Sequence, residues 1–326
     1  MNSLYKACKL LVASSLSVLV AAAGASEVTW PNKPVQLVVP FAPGGNTDMV
    51  ARILAGGLSH EIKQPVVVEN RAGAGSLIAT NYVANAQPDG YTLLLNTVAL
   101  VTTPLVSAAV DGDLASKFAP VAQVASVPKV LITNPSFPAN SVAELVAYAK
   151  KAEKPLTYGT PGNGSVTHLM GELFAMEMGV PLVQVPYRGS APALTGLMGG
   201  EIDMIFEDLP PATPFINSGK LKALVMASNE RNTAFPNVAS AGEQHLSALI
   251  VEPWNGVLAP AQTPPAVVHA LEQAIAKVVA SEDYRSRLAK ASAQATYRDS
   301  QAYGQFIQTE AKRWAQVVQK AGIEKQ

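Results

Sequence analysis

The sequence predicts an α/β protein with two domains, each a mainly parallel sheet flanked by helices. Short apolar runs alternate with amphipathic stretches, which is the pattern of parallel strands covered by helices. The chain is also longer than one core usually supports, since single cores stop growing near about 250–300 residues. The predicted strands are residues 35–39, 66–69, 91–96, 130–133, 156–158, 182–186, 202–206, 222–227 and 254–259.

Apolar residues at helical spacing, together with end signals, predict the helices between these strands. Ser141 and Glu144 form a capping box, in which the two side chains satisfy donors at the helix start. Ser190 opens a helix that Gly199-Gly200 closes. The predicted helices cover residues 49–58, 77–86, 141–150, 166–174, 190–199, 211–219, 264–280 and 301–321.

Two strand-to-helix turns contain repeated glycines, and we call them the first glycine turn (residues 40–45) and the second glycine turn (residues 159–165). The free N–H groups and the dipole at a helix start can hold a carboxylate or a phosphate without a lysine. An ordinary connecting turn is the alternative for either one alone. Two such turns can serve one cleft, because ligands gather beyond the carboxyl ends of parallel strands.

The predicted hinge passages lie near residues 124–128 and 249–254. They make domain 1 discontinuous, with residues 26–126 plus 250–326, and give domain 2 residues 127–249.

Residues 1–25 have the composition of a cleavable signal peptide. Lys6 and Lys9 precede an apolar run over residues 10–20, and Ala23-Gly24-Ala25 offers small residues for cleavage. The apolar run is short for a membrane span. Cys8 is the only cysteine, so the exported chain is expected to have no thiol and no disulfide.

The charge balance argues against a nucleic-acid partner. The chain has 24 basic and 24 acidic residues, and loss of the leader removes only basic ones. No basic field remains for nucleic acid, so an anionic ligand must be attracted by local dipoles and hydrogen bonds.

A series of short motifs runs along the chain. In order they are Pro40-Phe41-Ala42-Pro43-Gly44-Gly45 with Asp48 and Arg52, Val68-Glu69-Asn70-Arg71 with Gly73-Ala74-Gly75, Pro88-Asp89-Gly90-Tyr91-Thr92, Tyr158-Gly159 to Gly164-Ser165 with His168, Val185-Pro186-Tyr187-Arg188-Gly189, Gly199-Gly200-Glu201-Ile202-Asp203, and Trp254 with Ala259-Pro260. Their ordered combination resembles the tripartite tricarboxylate transporter receptors, also called Bug proteins, across essentially the whole mature chain.

The resemblance implies a periplasmic solute-binding receptor with a flytrap fold that closes on a small organic acid. Its implied partners are membrane permease subunits or, alternatively, a sensor kinase, and the receptor is expected to be a monomer. The ligand contacts carried over are Phe41, Ala42, Gly44, Gly45, Thr97, Ala99, Thr160, Gly162, Asn163, Ser165, Tyr187 and Gly189.

Each of three other polar side chains near these turns has two alternative roles. Asp48 either holds the glycine turn or binds an amino group of the ligand. His168 either reaches the cleft or is a buried histidine bonded locally. Arg188 either pairs with an acidic ligand or lies on the surface.

Glu207-Asp208 departs from the family pattern, in which aspartate followed by asparagine is frequent. Two carboxylates beside the pocket would disfavour a highly charged, citrate-like solute, or would need an ammonium group or a cation between them. Glu207 therefore joins the expected ligand contacts, and the expected ligand is a mono- or dicarboxylate or an amino acid.

The competing hypothesis is a periplasmic serine hydrolase with Ser165 as nucleophile and His168 as base. The segment 162–166 lacks the Gly-x-Ser-x-Gly elbow, and helix capping already explains the serine. No His-Glu-x-x-His spacing occurs, so neither a metal nor another cofactor is expected. We therefore expect a binding protein with no catalytic residues.

Overall fold

The computed structural model describes residues 30–110, 112–162, 165–187, 189–251 and 253–325. Residues from Lys33 onward form a unit of their own, to which the description below applies. The predicted signal peptide, the predicted ligand contact Asn163 and Arg188 lie outside the described residues.

Eleven strands and ten α-helices are named in the described residues. The strands are β1 (Val35–Val39), β2 (Val66–Asn70), β3 (Thr92–Thr97), β4 (Phe118–Ser126), β5 (Lys129–Thr133), β6 (Leu156–Thr160), β7 (Leu182–Pro186), β8 (Met204–Asp208), β9 (Lys222–Met226), β10 (Trp254–Pro260) and β11 (Gln294–Arg298). The helices are α1 (Asn46–Ile62), α2 (Leu77–Ala84), α3 (Ala99–Val106), α4 (Val142–Ala149), α5 (Val166–Met178), α6 (Ser190–Gly199), α7 (Leu209–Asn217), α8 (Pro265–Ala280), α9 (Glu282–Lys290) and α10 (Ser300–Ala321).

The strands form two separate sheets. One has six strands in the order β11-β4-β10-β3-β1-β2, and the other has five in the order β7-β6-β8-β5-β9. The strands β2, β1 and β3 are parallel, as are β7, β6 and β8. The pairs β3–β10, β10–β4 and β4–β11, and the pairs β8–β5 and β5–β9, are antiparallel. Each sheet is therefore mixed, and the expected parallel arrangement is limited to three strands of each.

The antiparallel pairs arise where the chain crosses between the sheets. Strand β4 ends at Ser126 in the first sheet, and β5 begins at Lys129 in the second. The chain returns to the first sheet before Trp254, and the Val127 N–H donates to the Pro253 carbonyl at 2.9 Å. The two crossings therefore lie side by side, at the positions where hinge passages were predicted.

One buried apolar cluster includes side chains from both sheets, such as Leu94 of β3 and Phe206 of β8. The face predicted for the last helix contributes Tyr303 and Trp314, both fully buried. Helix α10 packs on β4 of the first sheet and also against α5, the helix that follows β6 of the second sheet.

Candidate functional site

Both glycine turns lie at the sheet edges that the crossing joins. The first glycine turn follows the carboxyl end of β1, and the second follows the carboxyl end of β6. Strand β4 ends at the same edge as β1, because it is antiparallel to β10 and β10 is antiparallel to β3. Strand β5 starts where β8 ends, since Lys129 pairs with Asp208. The two-residue link 127–128 thus joins the two edges that carry the turns.

Asp48 organises the first glycine turn. Its carboxylate accepts the Gly44 N–H at 2.9 Å, the Asn70 amide at 2.9 Å and the Arg52 Nε–H at 3.0 Å. Asn70 also donates to the Phe41 carbonyl at 3.0 Å, which ties the turn to β2. Burial alone would raise the pKa of Asp48, but the hydrogen bonds and the charge of Arg52 outweigh it and lower the pKa. Asp48 is therefore ionised, and its carboxylate is hydrogen-bonded within the first glycine turn.

The start of α1 has no side-chain cap. Gly45 occupies the N-cap position and brings no side chain, and the Gly44 backbone has a φ of +84°. The first amide groups of a helix have no partner within the helix. The first turn of α1 therefore keeps amide donors that an anion can use, and the exposed Gly45 places no side chain in front of them.

The second glycine turn is held by hydroxyl groups. Ser165 caps α5 by accepting the His168 N–H at 3.2 Å, and its own hydroxyl donates to the Gly162 carbonyl at 2.7 Å. Thr160 is fully buried, and its hydroxyl oxygen accepts the Gly162 N–H at 3.3 Å and the Gln184 amide at 2.8 Å. Thr160 and Ser165 thus shape the turn, and Gly162 has a φ of +136° that suits only glycine.

His168 is largely buried in the first turn of α5. Burial lowers the pKa of its imidazole, and the nearby charge of Glu172, whose Oε1 lies 3.9 Å from Nε2, works in the opposite direction. The net lowering keeps the ring neutral near pH 7. The His168 side chain is therefore buried beside Glu172, and its contact with the ligand stays a prediction.

Thr97, Ala99 and Gly189 lie at the same edges as the turns. Thr97 ends β3 and accepts the Ala99 N–H at 3.3 Å, and Gly189 is the N-cap of α6 with a φ of +121°. The Tyr187 N–H donates to the Thr160 carbonyl at 2.8 Å, and its hydroxyl donates to Glu201 at 3.4 Å. Its side chain also lies against Gly196, two turns into α6.

Glu207 is buried at the end of β8. Its Oε1 accepts the Ser190 hydroxyl at 3.0 Å and the Asp208 N–H at 2.8 Å. Burial, and then the charge of Asp208, raise the pKa of Glu207 to about 7, while Lys129 works against the rise. Glu207 therefore holds its proton to a higher pH than a solvent-exposed glutamate does.

Sequence reasoning missed Lys129, which the structure places beside the acidic pair. The Lys129 ammonium lies 2.7 Å from Asp208 Oδ1, and the residue is only 4% exposed. Asn46, the first residue of α1, donates to Asp208 Oδ2 at 2.7 Å. The signal in the sequence was a lysine at the head of the apolar run Val130-Leu131-Ile132, where a buried charge requires a partner.

Asn255 was also missed. It is opposite Thr97 in the register of β10 and β3, and it is 3% exposed. Its Oδ1 has no hydrogen-bond partner among the described residues. Buried amide groups are nearly always paired, so Asn255 is a polar group left available beside the end of β3.

Some candidate sites are not supported. Among the residues that the structure describes, no group of three metal-ligating side chains occurs. Within the same ranges, no helix is long and apolar enough to cross a membrane. An open surface groove lined by Tyr82, Asp89 and Tyr91 lies at the amino-terminal edge of β3, opposite the edge with the glycine turns.

Comparison with known proteins gives consistent matches along the chain. A family model described as "Tripartite tricarboxylate transporter family receptor" matches residues 50–323. Protein BugT of Bordetella pertussis is 36% identical over 317 residues, covering 94% of this chain and 96% of BugT.

Two solved structures agree with these matches. R. palustris Rpa4515 with adipate has a TM-score of 0.83 at 34% identity, covering 91% of this chain and all of that one. MatC (Rpa3494) from Rhodopseudomonas palustris with bound malate has a TM-score of 0.78 at 32% identity, covering 89% of this chain and all of that one.

Two helix-flanked mixed sheets, adjacent crossings and glycine turns at the joined edges define a solute-binding protein of the periplasmic-binding class. The chain belongs to the tripartite tricarboxylate transporter receptor family, which includes the Bug proteins. This is a family of binding receptors rather than of enzymes, and the resemblance seen in the sequence motifs is confirmed.

Proposed function

We propose that this receptor captures a small organic acid between its two glycine turns. The observation that carries the proposal is the start of α1, where Asp48 is satisfied within the turn and Gly45 leaves the helix uncapped. Relatives of similar fold hold adipate and malate, which are both small carboxylic acids. The expected ligand of this chain is a mono- or dicarboxylate or an amino acid.

Residues 26–126 with 250–326 form one lobe in this proposal, and residues 127–249 form the other. The adjacent crossings at Val127 and Pro253 support a hinge there, because only two short connections need to bend. Ligand binding then shifts the population toward the closed form by its greater affinity for that form.

The ligand carboxylate is assigned to backbone groups rather than to charged side chains. Phe41, Ala42, Gly44 and Gly45 line the ligand from the first turn, where the Gly44 N–H is already donated to Asp48. Gly162, Asn163 and Ser165 line it from the second turn, where the Gly162 N–H is already donated to Thr160. Thr97, Ala99 and Gly189 line the wall, and Asn255 adds an acceptor oxygen beside Thr97. Asp48, Thr160 and Tyr187 support the turns, and His168 and Glu207 adjoin them.

We assign no hydrolytic activity to Ser165. Its hydroxyl proton is donated to the Gly162 carbonyl, and its oxygen accepts a backbone N–H rather than facing an imidazole base. A serine nucleophile needs a base within hydrogen-bond reach to take that proton. The residue is fully explained as the cap of α5.

Residues 1–25 are assigned as a leader that exports the receptor to the periplasm. The proposed partners there are the membrane permease subunits of a tripartite tricarboxylate-type transporter, which the family membership supports. A monomer suits this role, because one receptor must open and close freely.

Thermal-shift screening and calorimetry with purified protein test the function. Citrate, malate, adipate, butyrate and hexanoate form a suitable panel. A true ligand at a hundredfold excess over its Kd should stabilise the fold by about 2.7 kcal/mol. The proposal fails if no organic acid shifts the melting temperature, or if the protein hydrolyses esters with a rate that Ser165→Ala abolishes.

A further inference from the structure

The buried cation at the joined edges, Lys129, has two protein partners. Lys129 donates to Asp208 Oδ1 at 2.7 Å and to the Thr167 hydroxyl oxygen at 3.3 Å. Thr167 can only accept in that contact, because its own proton is donated to the Phe206 carbonyl at 3.0 Å. A lysine with a 6% exposed side chain requires such partners, since a buried unpaired charge is costly.

Asp208 is held from two sides. Lys129 donates to one oxygen, and Asn46 of α1 donates to the other at 2.7 Å. Asp208 occupies the N-cap position of its own helix α7 but makes no side-chain cap there. Its carboxylate therefore reaches toward the first residue of the helix whose start we assign to the ligand.

This arrangement is the one that a bound carboxylate would need. It combines the Lys129 ammonium group with the side-chain amide of Asn46, the first residue of α1. A ligand carboxylate extending from the first glycine turn toward Lys129 would meet Asp208 instead. The buried Glu207, adjacent to Asp208, adds acidity rather than positive charge.

We propose that Asp208 occupies the place of a second ligand carboxylate, so that the Lys129–Asp208 pair makes this receptor select solutes with one carboxylate over those with two. The inference rests on the proposed function and deepens it, because it names the class of acid. Asp208 is then a specificity-determining residue, since it repels a second carboxylate and removes the cation that would bind it.

The test compares acids of equal carbon number that differ in one carboxylate. Calorimetry with butyrate and succinate, and with hexanoate and adipate, gives two selectivity ratios for each protein. The wild type should bind each monocarboxylate more tightly than its partner. In Asp208→Asn the freed Lys129 should shift both ratios toward the dicarboxylate by roughly tenfold or more.

Two further variants separate selectivity from structure. Asp208→Asn leaves a buried ammonium group unpaired and can impair folding, so Lys129→Met with Asp208→Asn removes both charges. That double variant should lose the discrimination against dicarboxylates without gaining a preference for them. Glu61→Gln breaks the pair with Lys277 at the far end of α1 and should keep the wild-type ratios.

The outcomes are distinguishable. Wild-type ratios in both Asp208 variants, or a wild type that already prefers the dicarboxylates, overturn the inference while the receptor function stands. A wild type that binds none of the organic acids overturns the receptor function itself and this inference with it.

Discussion

Arg313 of the last helix donates to the Ile250 carbonyl at 2.6 Å. The same guanidinium group also donates to the Ala248 carbonyl at 3.3 Å. These two hydrogen bonds hold the segment that leads back into β10 against the last helix. Because α10 packs on β4, this contact anchors the return crossing to the first sheet.

Replacing Arg313 with methionine should destabilise the protein by about 1–2 kcal/mol, because two half-buried carbonyl groups lose a charged donor. Urea unfolding measures the loss. Lys312→Met on the exposed side of the same helix is the matched control and should change stability little. Equal stability of both variants would remove the anchoring role from Arg313.

Gly44→Val should abolish binding of the organic acid and lower stability by about 1–2 kcal/mol. The cost comes from the φ of +84°, which a β-branched residue adopts poorly, and not from a clash, since nothing lies within 4 Å of an added Cβ. Gly199→Ala is the control, because that glycine also has open space but an ordinary φ. Calorimetry on both variants checks the prediction, and unchanged affinity in Gly44→Val would contradict the assigned turn.

Asp48→Asn should weaken the first glycine turn and destabilise the protein by about 1–3 kcal/mol at pH 7. The folded-state pKa of Asp48 is lowered, so its contribution is present above the unfolded value of 3.8 and is lost as pH falls through the folded value. The stability gap between wild type and variant should therefore narrow as the pH falls below 3.8. Denaturation curves at pH 7 and pH 3 measure it, and a gap that stays constant would show that the charge is not involved.

Glu207→Gln should stabilise the protein at pH 8 and leave it unchanged near pH 4. The folded-state pKa of about 7 exceeds the unfolded value of 4.5, so the contribution of Glu207 is present below pH 4.5 and is lost as pH rises through 7. The difference amounts to at most about 3 kcal/mol. The glutamine oxygen can still accept the hydrogen bonds from Ser190 and Asp208.

The comparison of Glu207→Gln with wild type at each pH also cancels the opposite effect of His168, whose lowered pKa makes acidification below pH 6.5 destabilising. Glu153→Gln at an exposed position should follow the wild-type profile. A Glu207→Gln variant whose advantage does not grow with pH would show that the carboxyl is not perturbed in the fold.

The elements with strong local signals were predictable. Strand β7 has the predicted bounds, and the cap at Ser141 forms as expected, although Glu144 reaches back to the Asn140 N–H. Strand β4 was missed because Pro120 and Gln123 interrupt its apolar pattern, although it lies inside the first sheet. Helix α3 was missed because Pro104 and β-branched residues favour other structures. Strand β11 was missed because it is short, polar and at the edge of the sheet. Helix α9 was missed because it has little apolar content.

The glycine turns could be located from sequence, because their signal is local. The partners that complete the site could not. Lys129 and Asp208 are 79 positions apart, and Asn46 and Asp208 are 162 apart. Such pairs depend on which strands are neighbours in a sheet, and composition and periodicity do not specify that order. The ligand contacts named from the resemblance remain predictions until a bound solute is seen.

Because Val127 and Pro253 meet where the chain leaves and re-enters the first sheet, the second sheet is carried on an insertion whose ends already touch. Such a segment can be exchanged with its counterpart from a relative without cutting any strand of its host. Recombination at these two points would combine one glycine turn with a new opposing turn in a single event. New ligand specificities in this fold can therefore arise by exchange of this inserted segment as well as by point substitution.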